Sequence, residues 1–199
     1  MKHSISILLL LTVFSLFSCS LYSNLRYGIK SKHPPKTVDD YIHKAKSDLA
    51  LNDSVFYTPD RLMFHEFLMN RIFRDSQFVY LGLFLNDSIY IPPSPKPLNN
   101  ACAGSIEKEI DSLVGNQNLS SSFFKTDTSL YHYKLKRMLD GKPLTKVYFD
   151  KPVLVFLYSY QYGRYYKSLW KRVLELMHQH GDAYKIMILS IDNAIQLNE

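Results

Sequence analysis

Cysteine is nearly absent, with two residues in a chain of 199. A disulfide-stapled body needs several at regular spacing, and a dithiol or zinc motif needs Cys-x-x-Cys; neither is present. Glycine is sparse too, at seven residues. None of them builds the Gly-rich turns that cradle phosphates, nor the Gly-x-Ser-x-Gly elbow of a serine hydrolase. No motif asks for a cofactor. Metal ligands are not grouped: His65 and Glu66 lack a second histidine at ligand spacing, and His178 and His180 fall on different sides of any helix. Apolar runs of the length that crosses a bilayer, about 20 residues, are missing as well. Apolar and aromatic side chains are plentiful: 46% hydrophobic and 14% aromatic residues suit a folded body rather than a disordered chain. No internal repeat is present.

Lys2 and His3 precede the apolar stretch Ile5-Ser6-Ile7-Leu8-Leu9-Leu10-Leu11-Thr12-Val13-Phe14-Ser15-Leu16-Phe17, which has the form of a secretory signal. It ends in Leu16-Phe17-Ser18-Cys19, which resembles the lipobox of bacterial lipoproteins, although Phe17 departs from the small or β-branched residue usual there. The resemblance implies that Cys19 is lipidated on sulfur, that the signal is cut before it, and that the new amino terminus is acylated. The alternative is an ordinary secretory signal with a cysteine there by chance. At about 0.8 kcal/mol per buried methylene, three acyl chains anchor a protein durably where one would not.

On this reading the chain divides into a lipoprotein signal peptide over 1–18, a basic tether over 19–36 and a single α/β domain over 37–199. Much of the net charge of +6 sits in Arg26, Lys30, Lys32, Lys36, Lys44 and Lys46, where an anionic bilayer attracts it. The expected partners are membrane lipid through the anchor and, as a second class, another envelope protein. Nucleic acid is set aside, since no recognition motif appears. The expected location is the bacterial cell envelope. Ser20 does not supply the aspartate that retains some lipoproteins in an inner membrane, which points to the outer one. Cys102, in Asn100-Ala101-Cys102-Ala103-Gly104, has no nearby cation to lower its pKa and reads as buried or spectator.

Along the body, Thr37 caps a helix to about Ala50 with Val38, Tyr41, Ile42, Ala45 and Leu49 on one side. Thr58 and Pro59 are expected to open a second helix reaching about Arg74. Phe78 to Leu85, Asn86-Asp87 and Ser88 to Ile91 read as a β-hairpin, with Gly82 marking a bulge or a close backbone approach. Pro92-Pro93-Ser94-Pro95-Lys96-Pro97 forms a rigid break. A short helix over 105–114, a helix from Thr126 or Asp127 through Leu139, and an edge strand over 145–149 complete the expectation before the central strand.

Pro152-Val153-Leu154-Val155-Phe156-Leu157-Tyr158 is a continuous apolar run, the mark of a strand buried on both faces. A helix follows Gly163, with Leu169, Val173, Leu174 and Met177 on one face, and Tyr184-Lys185-Ile186-Met187-Ile188-Leu189-Ser190-Ile191 forms a second strand. A long crossover between strands implies parallel pairing. The residues from Val153 to Lys167 resemble the central strand and active-site helix start of a thioredoxin-like protein, and Lys185 to Asp192 is similar to that family's next strand, often ended by Ile-Asp. The resemblance makes Asp192 structural. It puts Tyr162, Gly163, Arg164 and Tyr165 where the family carries Cys-Gly-Pro-Cys, so thiol–disulfide exchange there is excluded. The chain also ends before the family's cis-proline and terminal hairpin. The fold class expected is therefore α/β: an incomplete thioredoxin-like strand–helix–strand unit at 145–193, joined to a helix-rich N-terminal part with a β-hairpin.

Tyr158, Tyr160, Tyr162, Tyr165 and Tyr166 crowd the strand–helix turn around Arg164. Such a turn can hold an anion at the helix start, with Arg164 as a fork and rings to stack on. Equally, the rings can fill the space left by lost redox chemistry. Tyr162, Gly163, Arg164 and Tyr165 are the candidate ligand-binding residues; no residue stands out as catalytic. The leading expectation is a lipoprotein using a redox-inactive thioredoxin-like domain as a binding or scaffold surface. An enzyme of another type, built on the Tyr/Arg cluster or Cys102, and a small-anion-binding module are the alternatives. The lipobox, the tether Arg26-Tyr27-Gly28-Ile29-Lys30 and the turn Tyr162-Gly163-Arg164 together resemble small exported lipoproteins of the Bacteroidetes type with a thioredoxin-like tail.

Overall fold

The computed structural model describes residues 35–51, 55–75, 79–90, 108, 111, 124–127, 129–161, 170–171, 173–175, 178–179 and 183–192. They form a mixed α/β body around a seven-stranded sheet. In chain order the strands are β1 (Val55–Thr58), β2 (Tyr80–Leu85), β3 (Ser88–Tyr90), β4 (Phe124–Thr126), β5 (Lys136–Arg137), β6 (Val153–Tyr158) and β7 (Lys185–Ser190). Across the sheet their order is β4-β3-β2-β6-β7-β1-β5. The middle three, β6, β7 and β1, run parallel, and the strands on either side pair antiparallel.

β6 takes the centre because it has no polar face to show to water. All six of its side chains are buried. Their alternation feeds two separate cores. Leu154, Phe156 and Tyr158 join Tyr41, Ala45 and Leu49 of helix α1 (Val38–Leu49), together with Trp170 and Val173. Val153, Val155 and Leu157 join Phe67 of helix α2 (Arg61–Phe67), Ile72, and Leu130 of the short helix α3 (Ser129–His132). The sheet is thus covered on both faces, as a parallel centre requires.

α1 begins where the capping signature put it: Thr37 accepts a hydrogen bond from the Asp40 amide at 3.0 Å, and the helix ends on Ala50 in the left-handed region. The start of α2 differs from expectation. Thr58 is not a cap but the last residue of β1, and Asp60 caps instead, accepting from the Leu62 amide at 3.1 Å. The run Val55-Phe56-Tyr57-Thr58 is β-branched and aromatic, and pairing with β7 claims it before a helix can. From Leu68 to Arg74 the helix widens into π-helical winding.

Two more expectations give way. Instead of one helix through Leu139, residues 124–139 supply β4, α3 and β5. The free edge of β1 draws this segment out of helix, with the Met138 amide donating to the Phe56 carbonyl at 2.8 Å. Instead of an edge strand, Lys146–Phe149 is a turn of 3₁₀ helix whose Phe149 ring is buried beside Tyr131. β2 and β3 pair antiparallel across Asn86-Asp87, and β2 slips register against β6 between Tyr80 and Gly82. Gly82 has φ of 145°, and a Cβ there would lie 2.9 Å from Ile89 Cδ1, so the position favours glycine twice over. Lys108 and Asp111 are helical, while the rest of the expected 105–114 helix lies outside the described residues.

Candidate functional site

Parallel α/β sheets present ligands at the carboxyl ends of their strands. Here β6 and β7 end side by side, with Tyr158 opposite Ser190. The residues that follow, Ser159 on one strand and Asp192 on the other, meet above that pair. Asp192 Oδ1 accepts from the Ser159 hydroxyl at 2.8 Å. Its Oδ2 accepts from the Tyr160 amide at 2.9 Å and from the Tyr41 hydroxyl at 2.8 Å. Tyr41 comes from α1, so one carboxyl group ties a helix to the ends of two strands. Ser190 reinforces the joint: its hydroxyl donates to the Tyr41 oxygen at 2.8 Å and accepts from the Asp192 amide at 3.2 Å.

A second link runs beside the first. Tyr158 donates to Asp48 Oδ2 at 2.9 Å, and Lys44 donates to the same oxygen at 2.6 Å. The rings of Tyr41 and Tyr158 meet edge to face at 5.6 Å. Burial pushes both phenols above their ordinary pKa, with the carboxylates Asp192 and Asp48 adding to the effect. Burial also raises the Asp192 carboxyl above its usual range, although three hydrogen bonds favour its ionised form. No cation among the described residues pairs with it.

This arrangement can hold rather than react. A carboxyl with raised pKa is what a general acid or base needs, but it must also reach a substrate's proton. Both oxygens of Asp192 are already engaged by the fold. Among the described residues, no three His, Cys, Asp or Glu side chains converge on a point that could hold a metal ion.

The candidate ligand-binding residues Tyr162, Gly163, Arg164 and Tyr165 lie outside the described residues, as do Cys19 and Cys102. The described chain reaches Gln161, whose amide donates to the Ser159 hydroxyl at 3.2 Å. Gln161, the last described residue before that stretch, is thus tied to the Asp192 joint. Sequence reasoning missed Tyr41, Asp48, Ser159 and Ser190 as members of this cluster. The available signal was the ending of two apolar strands in Tyr158-Ser159 and Ser190-Ile191-Asp192, small hydroxyls beside one acid.

A separate concavity of about 480 Å³ takes in the start of β7 and is lined by Tyr57, Arg137, Lys142, Tyr148, Asp150 and Lys185, among others. Its cations are already matched: Lys185 with Asp150, Arg137 and Lys142 with Asp140. Set against protein-family models, curated proteins and solved structures, the chain matches none. No helix among the described residues is long and apolar enough to cross a membrane.

Proposed function

We propose that this protein is a lipid-anchored component of the bacterial envelope, held by Cys19 at the outer membrane, whose α/β body is a redox-inactive thioredoxin-like scaffold that binds rather than transforms. The observation carrying this reading is the joint at the carboxyl ends of β6 and β7, where each polar group serves another part of the fold. An acid spent on joining α1 to two strands suits a structural platform.

The thioredoxin-like part of the reading draws support from the sheet. The family's hairpin follows its second strand; here the antiparallel pair β2 and β3, encoded before β6, lies against the central strand instead. Tyr162 and Tyr165 at the positions of the family's cysteines leave no thiol at that turn to attack a disulfide.

Two measurements test the proposal. The mass of the native amino-terminal peptide should show a triacylated Cys19, and an unmodified terminus would end the anchor reading. For the scaffold, the double variant Tyr162→Cys, Tyr165→Cys should form an intramolecular bridge under mild oxidation, which needs Cα atoms about 4.4–6.8 Å apart. The parent protein should reduce insulin no faster than buffer. A folded double variant that stays reduced, or a parent with clear reductase activity, would overturn the reading.

A further inference from the structure

The cleft beside the start of β7 has a volume of about 480 Å³, within the roughly 300–1,000 Å³ of small-molecule sites. Its charges cancel where they stand. Lys185 pairs with Asp150, and Arg137 and Lys142 pair with Asp140. Its hydrogen-bonding groups, in contrast, are not used up. Arg137 gives Nε and Nη2 to Asp140, which leaves the two N–H groups of Nη1 unengaged among the described residues. Tyr57 is only 6% exposed, yet its hydroxyl makes no hydrogen bond within the described residues. A buried tyrosine hydroxyl normally finds a partner. The Arg137 and Asp140 charges both act on this phenol, which places it at their wall of the cleft. Thr145, also on the lining, keeps its hydroxyl unengaged in the same way.

Each class of ligand meets this lining differently. A carboxylate or phosphate would have to take Arg137 or Lys142 from Asp140, and would share the cleft with Asp150. An ammonium would meet Arg137, Lys142 and Lys185. A wholly apolar molecule would shut Tyr57 and Arg137 Nη1 away from water without a partner, a loss rather than a gain. A hydroxyl donates and accepts at once and carries no charge, so it satisfies both kinds of group and leaves the ion pairs intact. We infer that this cleft binds a neutral polyhydroxyl ligand, a short uncharged saccharide, held by Tyr57, Thr145 and Arg137 Nη1. The Tyr57 and Tyr148 rings, edge to face at 5.7 Å, add apolar surface for the C–H groups of a sugar ring. The inference goes beyond the scaffold reading and uses neither the Cys19 anchor nor the turn at 162–165.

The test uses the full chain, purified from membranes in a detergent that contains no sugar and clustered on a tag antibody. It is applied to a printed array of neutral, sialylated, sulfated and amino-bearing glycans, where clustering makes weak single contacts visible. The parent should bind a subset of the neutral glycans and ignore added inorganic phosphate. The variant Tyr57→Phe, Thr145→Val removes two hydroxyls that the fold does not use, so its melting temperature should match the parent's. Its affinity for the bound glycans, titrated as free sugars, should fall by roughly ten-fold, as two lost hydrogen bonds imply. No neutral glycan bound above background overturns the inference. Binding confined to sialylated or sulfated glycans, or abolished by phosphate, assigns the cleft to anions and overturns it as well. Neutral glycans bound equally by parent and a folded double variant place the sugar elsewhere and overturn this site. None of these outcomes touches the anchor, which the mass of the amino-terminal peptide reports separately.

Discussion

Asp192 and Asp150 stand at opposite ends of the β6–β7 pair and reach opposite electrostatic solutions. Asp192 follows the end of β7, is partly buried, and is met by three neutral donors. Burial dominates, and its pKa rises. Asp150 precedes β6, has a side chain 56% exposed, and meets the Lys185 ammonium. The hydrogen bond from Lys185 dominates, and its pKa falls. What separates them is the layer above: α1 roofs the carboxyl ends of the strands and shields Asp192 in part, whereas the other end opens into the cleft at Lys185. A carboxyl under the roof becomes a structural joint, and one at the open end remains a surface ion pair.

The largest expected effect comes from breaking the element both ends share. Val155→Asp puts a carboxylate into a position with no exposure and only apolar neighbours, and should destabilise by about 3–5 kcal/mol or prevent folding. Denaturant titration checks it; a midpoint near the parent's would mean β6 is not the central strand. Next is Asp192→Ala, which strips the acceptor from Tyr41, Ser159 and the Tyr160 amide at once. Losing the partners of buried donors should cost about 2–3 kcal/mol in the same titration. The smallest is Asp150→Asn. An exposed pair is screened by solvent, so the melting temperature should stay within about 1 °C of the parent's. If Asp150→Asn costs as much as Asp192→Ala, the contrast between the two ends fails.

How much of this was legible depends on how local the cause is. The central strand, its parallel partner and the first helix were readable because their signals sit within a few residues: an unbroken apolar run, a 3.6-residue stripe, a capping threonine. β1 was not, because four residues such as Val55-Phe56-Tyr57-Thr58 become a strand only when β7, about 130 residues further on, offers an edge. The same edge effect turned Lys136 and Arg137 from helix to strand. Gly82 was flagged as irregular, but its reason, the nearness of Ile89, belongs to the folded sheet. At the joint, Asp192 was singled out as structural, while Tyr41 was read only as an apolar helix position. Its hydroxyl finds its role through contacts 117 and 151 residues away, which no spacing rule covers.

The central claim, that Asp192 is a partly buried structural joint, is tested most directly by unfolding free energy against pH for the parent and Asp192→Asn. Asparagine keeps the shape and an acceptor but cannot ionise. Because the folded pKa of Asp192 is raised, the native state holds its proton where the unfolded chain, with an aspartate pKa of about 3.9, has already released it. That contribution is therefore fully present below pH about 3.9 and is lost as pH rises through the folded pKa. Carboxylates with lowered pKa, such as Asp60 and Asp150, give the opposite slope at low pH but cancel in the difference between the two proteins. The account predicts that the parent loses stability relative to Asp192→Asn as pH rises from about 4, and that the difference then levels off. Curves that run parallel across the range, or a parent that gains on the variant with rising pH, would contradict it.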